Sequence, residues 1–129
     1  MSPLDYPNTL KLDISLDEKL VLEPEWVRVG TVFPDVSDFR VKVYSLKEIL
    51  VEKLRSLMQR SRSRDYFDVW KLLSEKRFDL EEVRVLLVEK CRARGVEFRP
   101  ELIFDVGKLG EVEAYWVRGL GDLMKEVPV

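Results

Sequence analysis

Lys53, Asp65 and Asp68 are the residues whose types and spacing could do chemistry, with Arg60, Arg62 and Arg64 lying between the lysine and the first acid. An ammonium beside two carboxylates and an arginine cluster suits the holding of phosphates or of a metal-bound nucleotide. The cations neutralise phosphate charge, and an acid orients the lysine or accepts a proton. Histidine is absent and Cys91 is the single cysteine. That excludes histidine-based metal sites, Ser-His and Cys-His catalysis, an internal disulfide and a cysteine zinc cluster. The same charges also read as a salt-bridged helical hairpin, and on residue types alone this plainer reading is the stronger one.

The elements that must position these side chains span Ser45 to Leu73, which predicts two helices joined by a short basic link. Ser45 opens the first as a capping box, with Glu48 three positions on and able to reach back to the Ser45 amide. Leu46, Ile49, Leu50, Leu54 and Leu57 form one helical stripe, and Glu48, Glu52 and Arg55 take the opposite face. Lys53 falls inside the stripe. A lysine there must snorkel out or meet a carboxylate, because an unpaired buried ammonium is costly. Asp65 and Asp68, three apart, share a face of the second helix with Val69 and Leu72. Tyr66, Val69, Trp70 and Leu73 form its adjoining apolar stripe. Ser63 is placed to cap this helix, and Asp65 near its start suits the positive end of the dipole.

The stretch EILVEKLRSLMQRSRSRDYFDVWKLL resembles the C-terminal signature of the AbiEii/AbiGii-type nucleotidyltransferase toxin family. In that family a Glu-x-Lys helix precedes a basic link and an Arg-Asp-x-x-Asp helix; Arg64–Asp65 and Asp68 match it, and Glu52–Lys53 supplies the acid and the lysine in adjacent positions. KLDIS at Lys11–Ser15 and VKVYSLKEIL at Val41–Leu50 match in the same order, so the resemblance runs from about Thr9 to Trp116. It implies Lys53, Asp65 and Asp68 as catalytic positions, Lys53, Arg60 and Arg64 as phosphate-binding, and Asp13 as a third, metal-binding acid. It further implies magnesium, a nucleoside triphosphate and an RNA acceptor such as the end of a tRNA. On its own terms Asp13 is a solvated strand residue.

The 129 residues predict a single α+β domain, mostly β over 1–44 and helical over 45–129. Met1 to Asn8 is an irregular lead. Thr9 to Ser15 alternates Leu10, Leu12 and Ile14 against Lys11, Asp13 and Ser15, which predicts a half-buried strand. A second strand is expected near Asp17–Leu22, another over Trp26–Val32 and a last one over Phe39–Tyr44. Asp79 with Glu82 starts a third helix that stops at Gly95; Leu80, Val83, Leu86, Leu87 and Lys90 or Cys91 form its apolar face. On that face Cys91 is a small core residue. Arg92, Arg94 and Arg99 read as a basic helix end that could also touch phosphates. A short helix begins around Phe98–Glu101 and ends before Gly107. A fifth covers Leu109–Leu120, with Val112, Tyr115, Trp116 and Leu120 on one side, and Pro128 closes the chain.

A net charge of -2 gives no bulk attraction to nucleic acid, so such a contact would rest on a local patch. No apolar run approaches a membrane span and no signal peptide is visible, which predicts a cytoplasmic protein. Asn8 and Gln59 are the only side-chain amides beside abundant Glu, Lys and Arg, a balance like a thermophile's. Relatives of the AbiEii type carry a Gly-Ser motif and an Asp-x-Asp strand upstream of the KLDIS-like strand. Neither is found here, since Gly30 is the first glycine. Three readings stay open. One is a nucleotidyltransferase fragment, inactive alone, that works with a separate chain bearing Asp-x-Asp or with an antitoxin. The others are a non-catalytic remnant that dimerises or binds, and an unrelated scaffold whose Lys53–Asp65–Asp68 cluster is a structural ion network.

Overall fold

The computed structural model describes residues 9–121; the lead over Met1–Asn8 and the chain end at Pro128 lie outside them. Two strands, β1 (Glu25–Val29) and β2 (Phe39–Val43), pair antiparallel with Val27 opposite Val41 and Val29 opposite Phe39. Four α-helices follow: α1 (Leu46–Gln59), α2 (Ser63–Glu75), α3 (Leu80–Arg94) and α4 (Val106–Leu120), with a 3-10 turn at Pro100–Phe104 before the last. This is the expected α+β arrangement of a small sheet followed by a helical bundle.

Local chemistry accounts for the helix ends. Ser45 Oγ accepts the Glu48 amide at 3.1 Å to start α1. At its far end the Leu57 and Met58 carbonyls accept from Lys108 Nζ of α4 at 3.1 and 2.9 Å, a cap supplied from a distant helix. Asp79 receives the Glu81 and Glu82 amides, and Gly95 closes α3 at φ 67, a left-handed conformation that costs glycine no Cβ clash. Asp105 accepts the Lys108 amide, so α4 begins three residues earlier than expected and Gly107 lies within it instead of ending a helix. Ser63 is the first residue of α2 and makes no cap; Arg62 stands at that position without a side-chain bond.

Helix α1 is the hub. It packs on α2, α3 and the 3-10 turn, burying Leu50, Val51, Leu57 and Met58 against Val69, Leu86 and Ile103. The stripe expected on α2 is only half used. Val69 is buried and the Tyr66 hydroxyl donates to the Ile103 carbonyl, but Trp70 and Leu73 are exposed, Trp70 resting on Phe67.

The sheet is smaller than expected. Residues 9–15 and 17–22 are not strands, and Leu10, Leu12 and Ile14 are at least 73% exposed. Alternation makes a strand only where a neighbour accepts its backbone hydrogen bonds and covers one face; no described residue does this for 9–15. No helix among the described residues packs on the hairpin, in which Val27 and Phe39 are exposed and Val29, Val41 and Val43 half-buried. Its pleat sends Val27, Val29, Phe39, Val41 and Val43 to one side and Trp26, Arg28, Arg40 and Lys42 to the other. Arg40 and Lys42 lie 5.6 and 5.5 Å from the Trp26 ring centre.

Candidate functional site

The elbow between α1 and α2 brings the first-named residues together. Lys53 Nζ lies 3.0 Å from Asp65 Oδ1 and 2.7 Å from Asp68 Oδ2. Arg60 Nε takes the other Asp65 oxygen at 2.7 Å. Helical spacing of about 100° per residue puts Lys53 and Arg60 on one side of α1, and the extended backbone at Arg60 turns the chain so that Asp65 faces both. Asp65 is 2% exposed and fully engaged. Burial works against its charge, but hydrogen bonds from Arg60 and Lys53 and their positive charges outweigh that and hold its carboxyl below the usual range. Burial likewise opposes the Lys53 ammonium, and Asp68 and Asp65 more than compensate, so its pKa is raised.

The Lys53 side chain remains a quarter exposed and opens on a cleft of about 450 Å³. Arg60, Arg62, Arg64, Tyr115 and Gly119 line this cleft with Lys53 and Asp65. An ammonium has three donors, and two are used by the aspartates. The third has no partner among the described residues. Arg62 and Arg64 are exposed and make no ion pair among them. The cleft therefore presents free cationic donors backed by a rigid acid pair, an arrangement able to grip phosphate oxygens.

Asp13 is not part of this cluster. It is exposed, its described ion pair is with Lys11 at 3.7 Å, and no hydrogen bond joins it to the elbow. The described residues do not fit a divalent cation: no group of three or more metal-ligating side chains occurs among them. At the elbow, three of the four aspartate oxygens are already committed to ammonium or guanidinium partners.

A second ionic centre went unforeseen. Glu48, Glu52 and Arg55 do not form a solvent face; Glu48 and Arg55 are buried. Glu48 does not return to the Ser45 amide but accepts the Val21 and Leu22 amides and Lys90 Nζ, the last at 2.9 Å. Lys90, wholly buried on α3, also meets Glu18 at 3.1 Å, Glu52 at 3.5 Å and the Lys19 carbonyl. Its burial alone would lower its pKa, yet Glu48 and Glu18 raise it. The sign that marked Lys53, a lysine inside an apolar helical stripe, marks Lys90 equally. Cys91 beside it is buried, which pushes its thiol pKa up and leaves it unreactive.

The chain belongs to the nucleotidyl transferase AbiEii toxin family of type IV toxin–antitoxin systems, whose family model matches residues 3–129. An antitoxin partner and a nucleotide substrate go with that membership, and a divalent metal is typical of the family. Neither a search of curated proteins nor one of solved structures gave a significant match. No helix among the described residues is long and apolar enough to cross a membrane.

Proposed function

We propose that this chain supplies the cationic half of a cytoplasmic nucleotidyl-transfer site, with Lys53 contacting the triphosphate, Arg60 and Arg64 flanking it, and Asp65 and Asp68 fixing the lysine. The observation that carries this reading is the unspent third donor of Lys53, aimed into a cleft with free arginines. In-line transfer also needs acids that hold metal near the triphosphate. The elbow carboxylates are committed to cations, so those acids lie outside the elbow, and we assign them to a second polypeptide carrying the Gly-Ser and Asp-x-Asp elements. The apolar face of Val27, Val29, Phe39, Val41 and Val43, open at Val27 and Phe39, is where that polypeptide seats. An RNA end is the acceptor, and the isolated chain transfers nothing.

Titration calorimetry of the chain with nucleoside triphosphates, with and without magnesium, tests this. Weak binding near a Kd of about 1 mM, lost in Lys53→Ala, is expected. No heat from the wild type, or equal binding by the variant, overturns it. The same face favours one competing reading, a dimerising module with no nucleotide site. That reading requires a concentration-dependent dimer by sedimentation together with a silent titration.

A further inference from the structure

A larger cleft, about 780 Å³, lies on the other side of α1. Lys19, Arg55, Arg92 and Arg94 line it, with Asp17 the one acid on its wall. The elbow cleft shows the same excess, four cations against Asp65. Such excess on two adjoining surfaces stands out in a chain whose net charge is -2. Residues 55 and 59 of α1 point about 200–240° away from Lys53, so the two clefts flank the helix. They meet at its end, where Gln59 borders one and Arg60 the other.

Within the larger cleft the cations divide by role. Arg55 is fixed by Glu52 at 2.6 Å and Arg94 leans on Glu18 at 3.5 Å. Lys19 and Arg92 are exposed and make no ion pair among the described residues. The carbonyl end of α3, which would repel an anion, is closed at this point. The Gly95 amide donates to the Arg92 carbonyl and the Val96 amide to the Cys91 carbonyl. Lys19 is itself held in place, because its carbonyl accepts from the buried Lys90.

We infer that this cleft is a second phosphate-binding site, one that takes the backbone of a single-stranded nucleic acid crossing the end of α1 from the elbow. Lys19 and Arg92 supply the charge; Arg55, Arg94 and Gln59 shape the wall. The absence of an aromatic platform in the lining predicts backbone contact without base preference. This rests on the reading of an RNA acceptor and adds the surface that holds it, but it needs neither triphosphate nor metal.

Fluorescence anisotropy with a labelled single-stranded RNA, in the absence of nucleotide and magnesium and over a range of salt, tests the inference. The wild type is expected to bind with a strong salt dependence. The double variant Lys19→Glu, Arg92→Glu should bind about tenfold more weakly, with a salt slope reduced by about 1.4, the value for two lost phosphates on a single strand. Its thermal stability should fall by no more than about 0.3–1 kcal/mol, the effect of an unfavourable charge at the α3 end, because neither residue is tied by an ion pair. Lys71→Ala, which removes an exposed cation outside both clefts, should keep wild-type RNA binding and so shows that the loss is local to the cleft. A DNA strand of the same sequence binding equally well identifies the phosphates as the shared ligand; a weaker one adds the 2′-hydroxyl. Unchanged affinity and slope in the double variant, or no RNA binding by the wild type at low salt, overturns the inference.

Discussion

Lys53 and Lys90 are both lysines drawn into α1 packing, and they differ in what remains unspent. Lys90 is wholly buried and surrounded by Glu18, Glu48, Glu52 and the Lys19 carbonyl. Nothing is left for a ligand, and its work is to clamp the 17–22 segment to the bundle. Lys90→Met strands the buried Glu48, and urea unfolding should show a loss of about 3–5 kcal/mol. Adding Glu48→Leu should recover only part, because the Val21 and Leu22 amides then lose their acceptor. The raised pKa of Lys90 gives stability present below its unfolded value, near 10.4, and lost as pH climbs through the folded one.

Asp65 has the opposite sign. Its folded pKa is depressed, so its contribution is present above the unfolded value of about 3.9 and disappears as pH falls through the folded value. Asp65→Asn should cost about 1–3 kcal/mol at neutral pH, less than a fully enclosed pair, since Lys53 and Arg60 can turn to water. Denaturant melts across the acid range should show a flatter stability profile in the variant than in the wild type. Both elbow contacts were legible in the sequence, because an amphipathic stripe exposes a misplaced cation and i, i+3 spacing supplies its acids. The Lys90 centre was hidden because it joins residues 42 and 72 apart, and helical periodicity says nothing about which distant segment fills a helix face.

Among elements, α1 and its neighbours were readable while the strands were half so. Capping residues and glycine stops fix helix ends locally, which is why α1 and α3 match their expected limits. A strand is defined by its partner, and the KLDIS segment has the alternation without one. The contact of α4 with α2 depends on Gly119, which sits against the buried Ser63 on the wall of the elbow cleft. A Cβ there meets Ser63 Oγ far inside contact distance while Ser63 Cβ stays at 3.6 Å, so Gly119→Ala should turn the Ser63 hydroxyl aside, cost about 0.5–1.5 kcal/mol in a thermal melt and weaken nucleotide binding. An alanine variant with unchanged melting and binding would show that this approach is not needed.

For the whole molecule, the uneven distribution of cover is the main physical fact. The helices enclose a packed core, whereas the hairpin leaves Val27 and Phe39 exposed and the 9–15 segment leaves Leu10, Leu12 and Ile14 exposed. Exposed apolar patches mark contact surfaces in soluble proteins. Replacing Phe39 and Val41 by serine should leave the helical melt intact and abolish capture of the polypeptide bearing the Asp-x-Asp element. Capture undiminished by those changes would place its seat elsewhere.

The Lys53 ammonium is held by Asp65 and Asp68, and the proposed function gives its remaining donor to phosphate. Nitrogen-15 NMR of the lysine ammonium groups tests it most directly, with Lys53 assigned by the loss of its signal in Lys53→Met. A distinct, slowly exchanging Lys53 signal that moves when a nucleoside triphosphate is added is the predicted result. A Lys53 signal indistinguishable from freely solvated lysines and indifferent to the nucleotide would contradict the account.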